Sequence, residues 1–365
     1  MTLGDLRRLA VARSLFAPGT LENAIERFGF VQADPIRAPA RAQDLVLRHR
    51  VADYHAGDLE RDYVQLGIEE DFFIVYGFIT RKLRDLMHPR PNVRVAADGP
   101  ARWSTREIRR AREVLAFIRE RGEVHPREVS EHFEHGVVRN WWGGSSSATT
   151  HLLSGMHYRG MVRIARRENG IRIYAERVSD EVRIDVREKN VRLDALVDAA
   201  VAIYAPLPAP CLTDLVRRIR FAVPQWDRDL KDALLRAKQR LATVRVDGVN
   251  WYWPLEDMPD RLEAPDAVRL LAPFDPIVWD RNRFELLWGW MYRFEAYTPA
   301  AKRKLGYYAL PLLWRDRVIG WGNLSVAAGA LKADFGYVAG HPPRDRAFRR
   351  ELEAEIDRIR RFLRL

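Results

Sequence analysis

The chain has a single cysteine, Cys211, in 365 residues. That excludes an internal disulfide and a multi-cysteine metal site, and it fits a reducing cytoplasm. Long apolar runs are missing too, since no stretch approaches the ~20 residues needed to span a bilayer. The segment Met1 to Arg8 lacks the apolar core of a signal peptide. Lysine is scarce, with seven in the whole chain, so nearly all the positive charge is arginine. The expected location is the cytoplasm, in association with the nucleoid, and no membrane partner is expected.

What is present is a chain built to fold. Hydrophobic residues make up 47% of it, with a full set of aromatics, enough to bury cores in two or three domains. The formal charge is +11 and the pI about 9.9, which points to an anionic partner. Planar guanidinium groups suit bidentate phosphate recognition. Nucleic acid is therefore the leading partner class, and a basic enzyme with no nucleic-acid role is the alternative.

Residues 1–95 read as mostly helical. Leu3, Leu6, Leu9 and Ala10 recur at helical spacing, and Thr20 is placed to cap a second helix that Gly29 ends. A helix through Leu45, Val46 and Leu47 follows, and residues 68–87 are a further helical candidate. A pattern then occurs twice. An amphipathic helix over 105–120, a short one from Pro126 to Phe133 and a third from Ser147 to Arg159 lead into two alternating strands joined by Glu168-Asn169-Gly170, a hairpin signal. A helix from Val191 to Tyr204, a short helix near Leu212 and a helix from Trp226 to Leu241 lead into a second hairpin, turning at Asp247-Gly248. Three helices with a terminal hairpin make a winged helix. Short β runs dominate 268–340, and an amphipathic helix over 343–365 closes the chain.

The expected class is α+β: tandem winged-helix domains, then a small C-terminal β-barrel and a terminal helix. The expected boundaries are 1–95 for a first winged-helix-like domain, 100–180 for a second, 190–256 for a third, 265–342 for the barrel and 343–365 for the helix.

The stretch Gly29-Phe30-Val31-Gln32-Ala33-Asp34-Pro35-Ile36-Arg37 carries the chemistry. If Val31 to Ala33 are extended, Gln32 and Asp34 share one face. Gln32 then holds a water by hydrogen bond and Asp34 accepts its proton. The competing reading makes Asp34 the N-cap of a helix that starts at Pro35, and one side chain can fill both roles. His132 and His135 have a His-x-x-His spacing with no third ligand nearby, so no zinc is expected.

Gln32-Ala33-Asp34 resembles the Gln-x-Asp pair of the bacterial winged-helix DNA glycosylases that excise N-alkylated bases and unhook interstrand crosslinks. The resemblance extends along the chain. Trp141-Trp142 is similar to an aromatic pair before the third helix of that family's second winged helix, and Arg166-Arg167 through Ile173-Tyr174 to its wing. Leu271 to Arg281 and Tyr297 to Arg303 resemble stretches entering and within its barrel. The chain departs from the pattern at Gly143 to Thr150, where the family often has a Trp-Lys element, and at Glu69-Glu70-Asp71-Phe72-Phe73, where it tends to show Trp-Ala-His.

The resemblance implies hydrolysis of the N-glycosidic bond of N7-alkylated purines, with Gln32 and Asp34 catalytic and crosslink unhooking as an extension. An alkylated purine already carries a positive charge, so one carboxylate suffices where ordinary glycosidases need two. Asp34 activates the water and Gln32 orients it. A lyase route needs a Schiff-base lysine; only Lys82 precedes Lys189, so a monofunctional enzyme is expected. The expected DNA contacts are Arg37 and Arg41 after the pair, and Arg139, Asn140, Ser145, Ser146, Thr149, Thr150 and His151, a hydroxyl- and glycine-rich run at a helix start. The alternative for Ser145 to Thr150 is a plain capping and turn segment. A monomer on double-stranded DNA with alkylated bases or crosslinks is expected, with no cofactor and no metal. The competing function is a non-catalytic winged-helix transcriptional regulator, which has no need of a Gln-x-Asp pair.

Overall fold

The computed structural model describes residues 1–90, 103–133, 137–139, 145–168, 170–178, 184–256 and 263–365. They form two compact units. One comprises Met1–Leu59, Val197–Val216 and Leu234–Leu365, the other Glu60–Leu196 and Arg217–Ala233. The architecture is a mixed α and β fold.

In the first unit, the helix Leu3–Ser14 starts with a capping box between Thr2 and Asp5. Thr20 caps the helix Leu21–Phe28, and Gly29 ends it in the left-handed conformation at φ 66°. The strand Phe30–Gln32 follows at once, with Phe30 and Val31 both buried. The C-terminal part of this unit is a four-stranded antiparallel sheet in the order Val268–Leu270, Leu310–Trp314, Arg317–Ala327, Ala330–Tyr337. The two outer strands do not pair with each other, so the sheet is an open half-barrel where a barrel was expected. The helix Arg346–Leu363 packs on its first strand: Leu270 N–H donates to Glu355 Oε1 at 2.9 Å and Arg358 donates to the Val268 carbonyl. One core joins the ends of this unit, with Val11 and Leu15 packed among Leu271, Ile277, Val278, Phe284 and Leu313.

The hairpin Ala242–Val246 and Val249–Trp253 turns at Asp247 and Gly248, both at positive φ (49° and 79°). This is the turn that Asp-Gly between alternating runs favours. Its second strand also pairs with Leu207–Pro208.

In the second unit, the helices Thr105–Arg121, Pro126–Phe133 and Ala148–Tyr158 precede the hairpin Val162–Glu168 and Ile171–Glu176. Ala111, Val114, Ile118, Val129, Leu153, Met156, Val162 and Ile164 form the core. His132 stacks on Phe117 with ring centroids 4.5 Å apart.

Residues 68–87 are not one helix. They form the strands Ile68–Phe72 and Tyr76–Thr80 and then the helix Arg81–Met87. The aromatic and β-branched run from Phe72 to Thr80, with Gly77 inside it, favours a hairpin over a helix. Glu69, Glu70 and Asp71 are all buried here, and each has cationic partners. Glu69 accepts from Arg84 (2.6 Å) and Arg177 (2.7 Å). Glu70 accepts from Arg167 through both oxygens (2.6 and 2.7 Å) and from the Tyr76 hydroxyl (2.6 Å). Asp71 accepts from Arg90 (2.7 Å) and contacts His88 Nε2 at 2.8 Å. Burial opposes ionisation of these carboxyls, but the facing guanidinium groups win and hold all three below the usual range. Part of the chain's positive charge is therefore spent internally.

His157 is buried, with Nε2 bonded to the Glu70 carbonyl at 2.9 Å. Burial pulls its pKa from 6.5 down to about 4. A base with a depressed folded pKa binds fewer protons folded than unfolded, so its stabilisation is full above the unfolded value and is lost as pH falls toward the folded one. About 3 kcal/mol is expected to disappear between pH 6.5 and pH 4 on this group's account. Denaturant unfolding across that window checks it, and a His157→Gln protein of unchanged pH dependence contradicts it.

Candidate active site

Gln32 ends its strand half-buried, and its Oε1 accepts a hydrogen bond from the Trp279 indole Nε1–H at 3.0 Å. An indole nitrogen can only donate, so this contact orients the amide and leaves its NH2 group as a donor with no partner among the described residues. Trp279 leans on Tyr204 with ring centroids 4.7 Å apart.

The segment that carries Trp279 is tied to the N-terminal helices by a buried ion pair. Arg50 and Asp275 are both 0% exposed, and Arg50 reaches both carboxylate oxygens, at 2.8 and 3.0 Å. It also donates to the Ser14 and Val46 carbonyls. Asp275 in turn accepts from Ile277 N–H, and its carbonyl accepts from Trp279 N–H. Removal of the indole N–H in Trp279→Phe is expected to free the Gln32 amide and slow the reaction roughly 2- to 10-fold, with little change in substrate affinity. Single-turnover kinetics checks this.

Asp34 lies two residues further on, half-buried. Its Oδ1 accepts from Ile36 N–H at 2.9 Å, a side-chain turn over two residues. No helix starts at Pro35; the next one is Ala42–Leu47, with Arg41 at its N-cap. The capping reading of Asp34 is therefore corrected. Pro35 leads instead into an irregular segment containing Pro39, which keeps the chain from winding up. Burial raises the carboxyl pKa above the usual 3.8, and the one backbone bond only partly opposes this. A half-buried carboxyl with a raised pKa and no cationic partner among the described residues is the profile of a general base.

Tyr297 and Tyr308 lie within the field of Asp34, whose charge adds to burial in raising both phenol pKa values. Tyr297 is 71% exposed, whereas Tyr308 is 3% exposed. Tyr308 also lines a cleft of about 720 Å³, together with Arg37, Pro39, Tyr307, Asn323 and Lys332 among others. Arg37 is exposed there, and Arg41 is half-buried.

The remaining expected contacts lie in the other unit. Arg139, Ser145 and Ser146 are on a two-stranded pair in which Arg139 faces Ser145 and Val138 faces Ser146. Thr149 is buried, while Thr150 and His151 are exposed on the helix Ala148–Tyr158. Asn140 and the Trp141-Trp142 pair fall outside the described residues, as do His135 and Asn169. Among the described residues no cluster of His, Cys, Asp and Glu could hold a metal ion, and no helix is long and apolar enough to cross a membrane. Sequence reasoning assigned no role to Tyr308 or Trp279, because both reach the pair only through tertiary packing.

Comparison with known proteins bears on the family and the fold. The family model of AlkZ-like DNA glycosylases matches residues 25–362. The structure is similar to that of Streptomyces sahachiroi DNA glycosylase AlkZ, with a TM-score of 0.64 over 99% of this chain and 96% of the other, at 13% sequence identity. At that identity the likeness speaks for the fold.

Proposed function

Starting from the fact that the chain belongs to the AlkZ-like DNA glycosylase family, and is therefore a DNA repair enzyme, we propose that it hydrolyses the N-glycosidic bond of N7-alkylated purines in double-stranded DNA. The observation that carries this reading is the pairing of an amide fixed by Trp279 with the half-buried carboxyl of Asp34, whose pKa burial raises and which no cation pairs among the described residues. The Gln32 NH2 donates to the attacking water, and Asp34 takes its proton as oxygen bonds to the sugar C1′. The C1′–N9 pair goes to the base, whose positive charge is thereby neutralised, so no acid is needed on the leaving group. The ionised Asp34 also favours oxocarbenium character at the sugar.

We read the helix and hairpin order over 105–176 and 186–253 as two winged helices, with the first ~95 residues as a degenerate third. On this reading Arg37, Arg41, Arg139, Asn140, Ser145, Ser146, Thr150 and His151 contact the DNA backbone. An open binding surface suits crosslinks, which resist the full base extrusion used by many base-excising enzymes.

The test is a duplex crosslinked between guanine N7 atoms by a nitrogen mustard, run on a denaturing gel. Separation into two strands, each breaking only after alkali, is expected of a monofunctional enzyme. Strand scission without alkali contradicts the hydrolytic mechanism, and an intact crosslink contradicts the extension to crosslinks.

A further inference from the structure

Among the described residues, the Tyr308 hydroxyl is a buried polar group near Asp34 whose bonding the fold leaves unfinished. Its oxygen is buried and has no hydrogen-bond partner among the described residues. Buried polar groups are normally paired, and an exception calls for a reason. The neighbouring Tyr292 shows the ordinary case: it is 2% exposed, and its hydroxyl donates to the Ala309 carbonyl at 2.7 Å.

Tyr308 is also held with care. Its ring meets Phe294 edge-on, with centroids 5.2 Å apart. The turn before it is pinned by the Glu295 carboxylate, which accepts from the Lys304 and Leu305 amides at 2.8 and 2.7 Å. Gly306 sits at φ 122° against Asn323, where a Cβ would lie 2.2 Å from Oδ1, so glycine is required for this approach. Asn323 in turn donates to the Leu305 carbonyl at 2.8 Å. This scaffold fixes the ring in the wall of the cleft, which Tyr308 lines together with Arg37, Ala38 and Pro39, the residues that closely follow Asp34 in the chain.

We propose that Tyr308 is a positioning residue for the reaction proposed above: its hydroxyl donates to the Asp34 carboxylate in the substrate complex, leaving the other oxygen to take the proton from water. Oδ1 of Asp34 already serves Ile36 N–H, so a second donor fixes the carboxylate plane. Hydrogen bonds of this kind are commonly long in a free enzyme and shorten when substrate closes the site. The inference rests on the catalytic reading of Asp34.

The charged and titratable groups facing Tyr308 are Asp34, Tyr292, Tyr297 and Arg281, and Lys332 and Asp334 line the cleft on the sheet side. The phenols of Tyr292, Tyr297 and Tyr308 are all raised, and burial lowers Arg281 from its ordinary value. Asp34, whose carboxyl pKa burial pushes up, is therefore the half-buried carboxyl among the groups that act on Tyr308.

The experiment compares Tyr308→Phe with Tyr292→Phe by single-turnover base release as a function of pH, by thermal melting, and by 13C NMR titration of Asp34 in the protein bound to a duplex carrying a hydrolysis-resistant N7-methylguanine nucleotide. Tyr308→Phe is expected to slow release about 10- to 100-fold and to move the acidic limb to higher pH. The Asp34 titration should move the same way, with a melting temperature unchanged or raised. Tyr292→Phe is expected to lower the melting temperature and leave the limb in place. A Tyr308→Phe protein with wild-type rate and limb overturns the proposal, as does one that behaves like Tyr292→Phe. If wild type releases no base, the catalytic reading fails. The NMR titration then decides separately whether the hydroxyl couples to the carboxylate, and an unmoved Asp34 overturns that coupling.

Discussion

Asp34→Asn is expected to lose base release by a factor of about 10²–10⁴ while melting at the same temperature or higher. The two halves of this result have one cause. Burial raises the folded pKa of Asp34 above its ordinary value, so the ionised carboxylate is worse solvated in the fold than in the unfolded chain. The sign follows from linkage: the fold is favoured at low pH, where the group is protonated, and loses that advantage as pH rises through the folded pKa. Asparagine avoids the cost, and its side-chain oxygen can still accept from Ile36 N–H. Release by the wild-type protein should rise with pH through the same titration, since only the ionised form accepts a proton. Differential scanning calorimetry and single-turnover release, measured side by side, check both halves. A variant that retains its rate, or one that unfolds, contradicts the assignment.

The largest effect on stability is expected at Asp275. Its replacement by alanine leaves Arg50 charged at 0% exposure. Breaking one side of a buried pair costs about 3–5 kcal/mol. The loss also loosens the turn that carries Trp279, so the orientation of Gln32 suffers with it. Replacing both partners by apolar residues of similar size, as in Arg50→Met with Asp275→Leu, should recover most of the stability, because the penalty lies in the unpaired charge. Denaturant unfolding of the three proteins tests this. A single substitution costing under about 1 kcal/mol is what an exposed pair gives, and it would contradict the account.

How far these features were legible in the sequence depends on the range of the interaction that makes them. Thr20 and Gly29 bracket their helix as their local chemistry dictates. Asp247-Gly248 makes its hairpin for the same reason. Helix capping by Asp34 was an equally local inference, and it failed because Pro35 is followed by an irregular segment. The run of three carboxylates from Glu69 to Asp71 could not be placed in a buried strand from sequence, since the arginines that neutralise it lie as far off as Arg167 and Arg177. The Gln32 and Asp34 pair stood out by residue type and spacing. Its supports did not: Trp279 is 247 residues from Gln32, and nothing in the local pattern around Tyr308 shows that its hydroxyl is left without a partner.

The central claim is that this protein removes an alkylated base by hydrolysis at Asp34, and it is tested most directly by incubating the purified chain with a duplex carrying N7-methylguanine and measuring free base by mass spectrometry. The account predicts release of 7-methylguanine by the wild-type protein, leaving an abasic strand that breaks only after alkali, with release at background for Asp34→Asn. Tight binding to the duplex with no free base from either protein would contradict it, and would leave a DNA-binding protein whose Asp34 does no more than close a turn on Ile36.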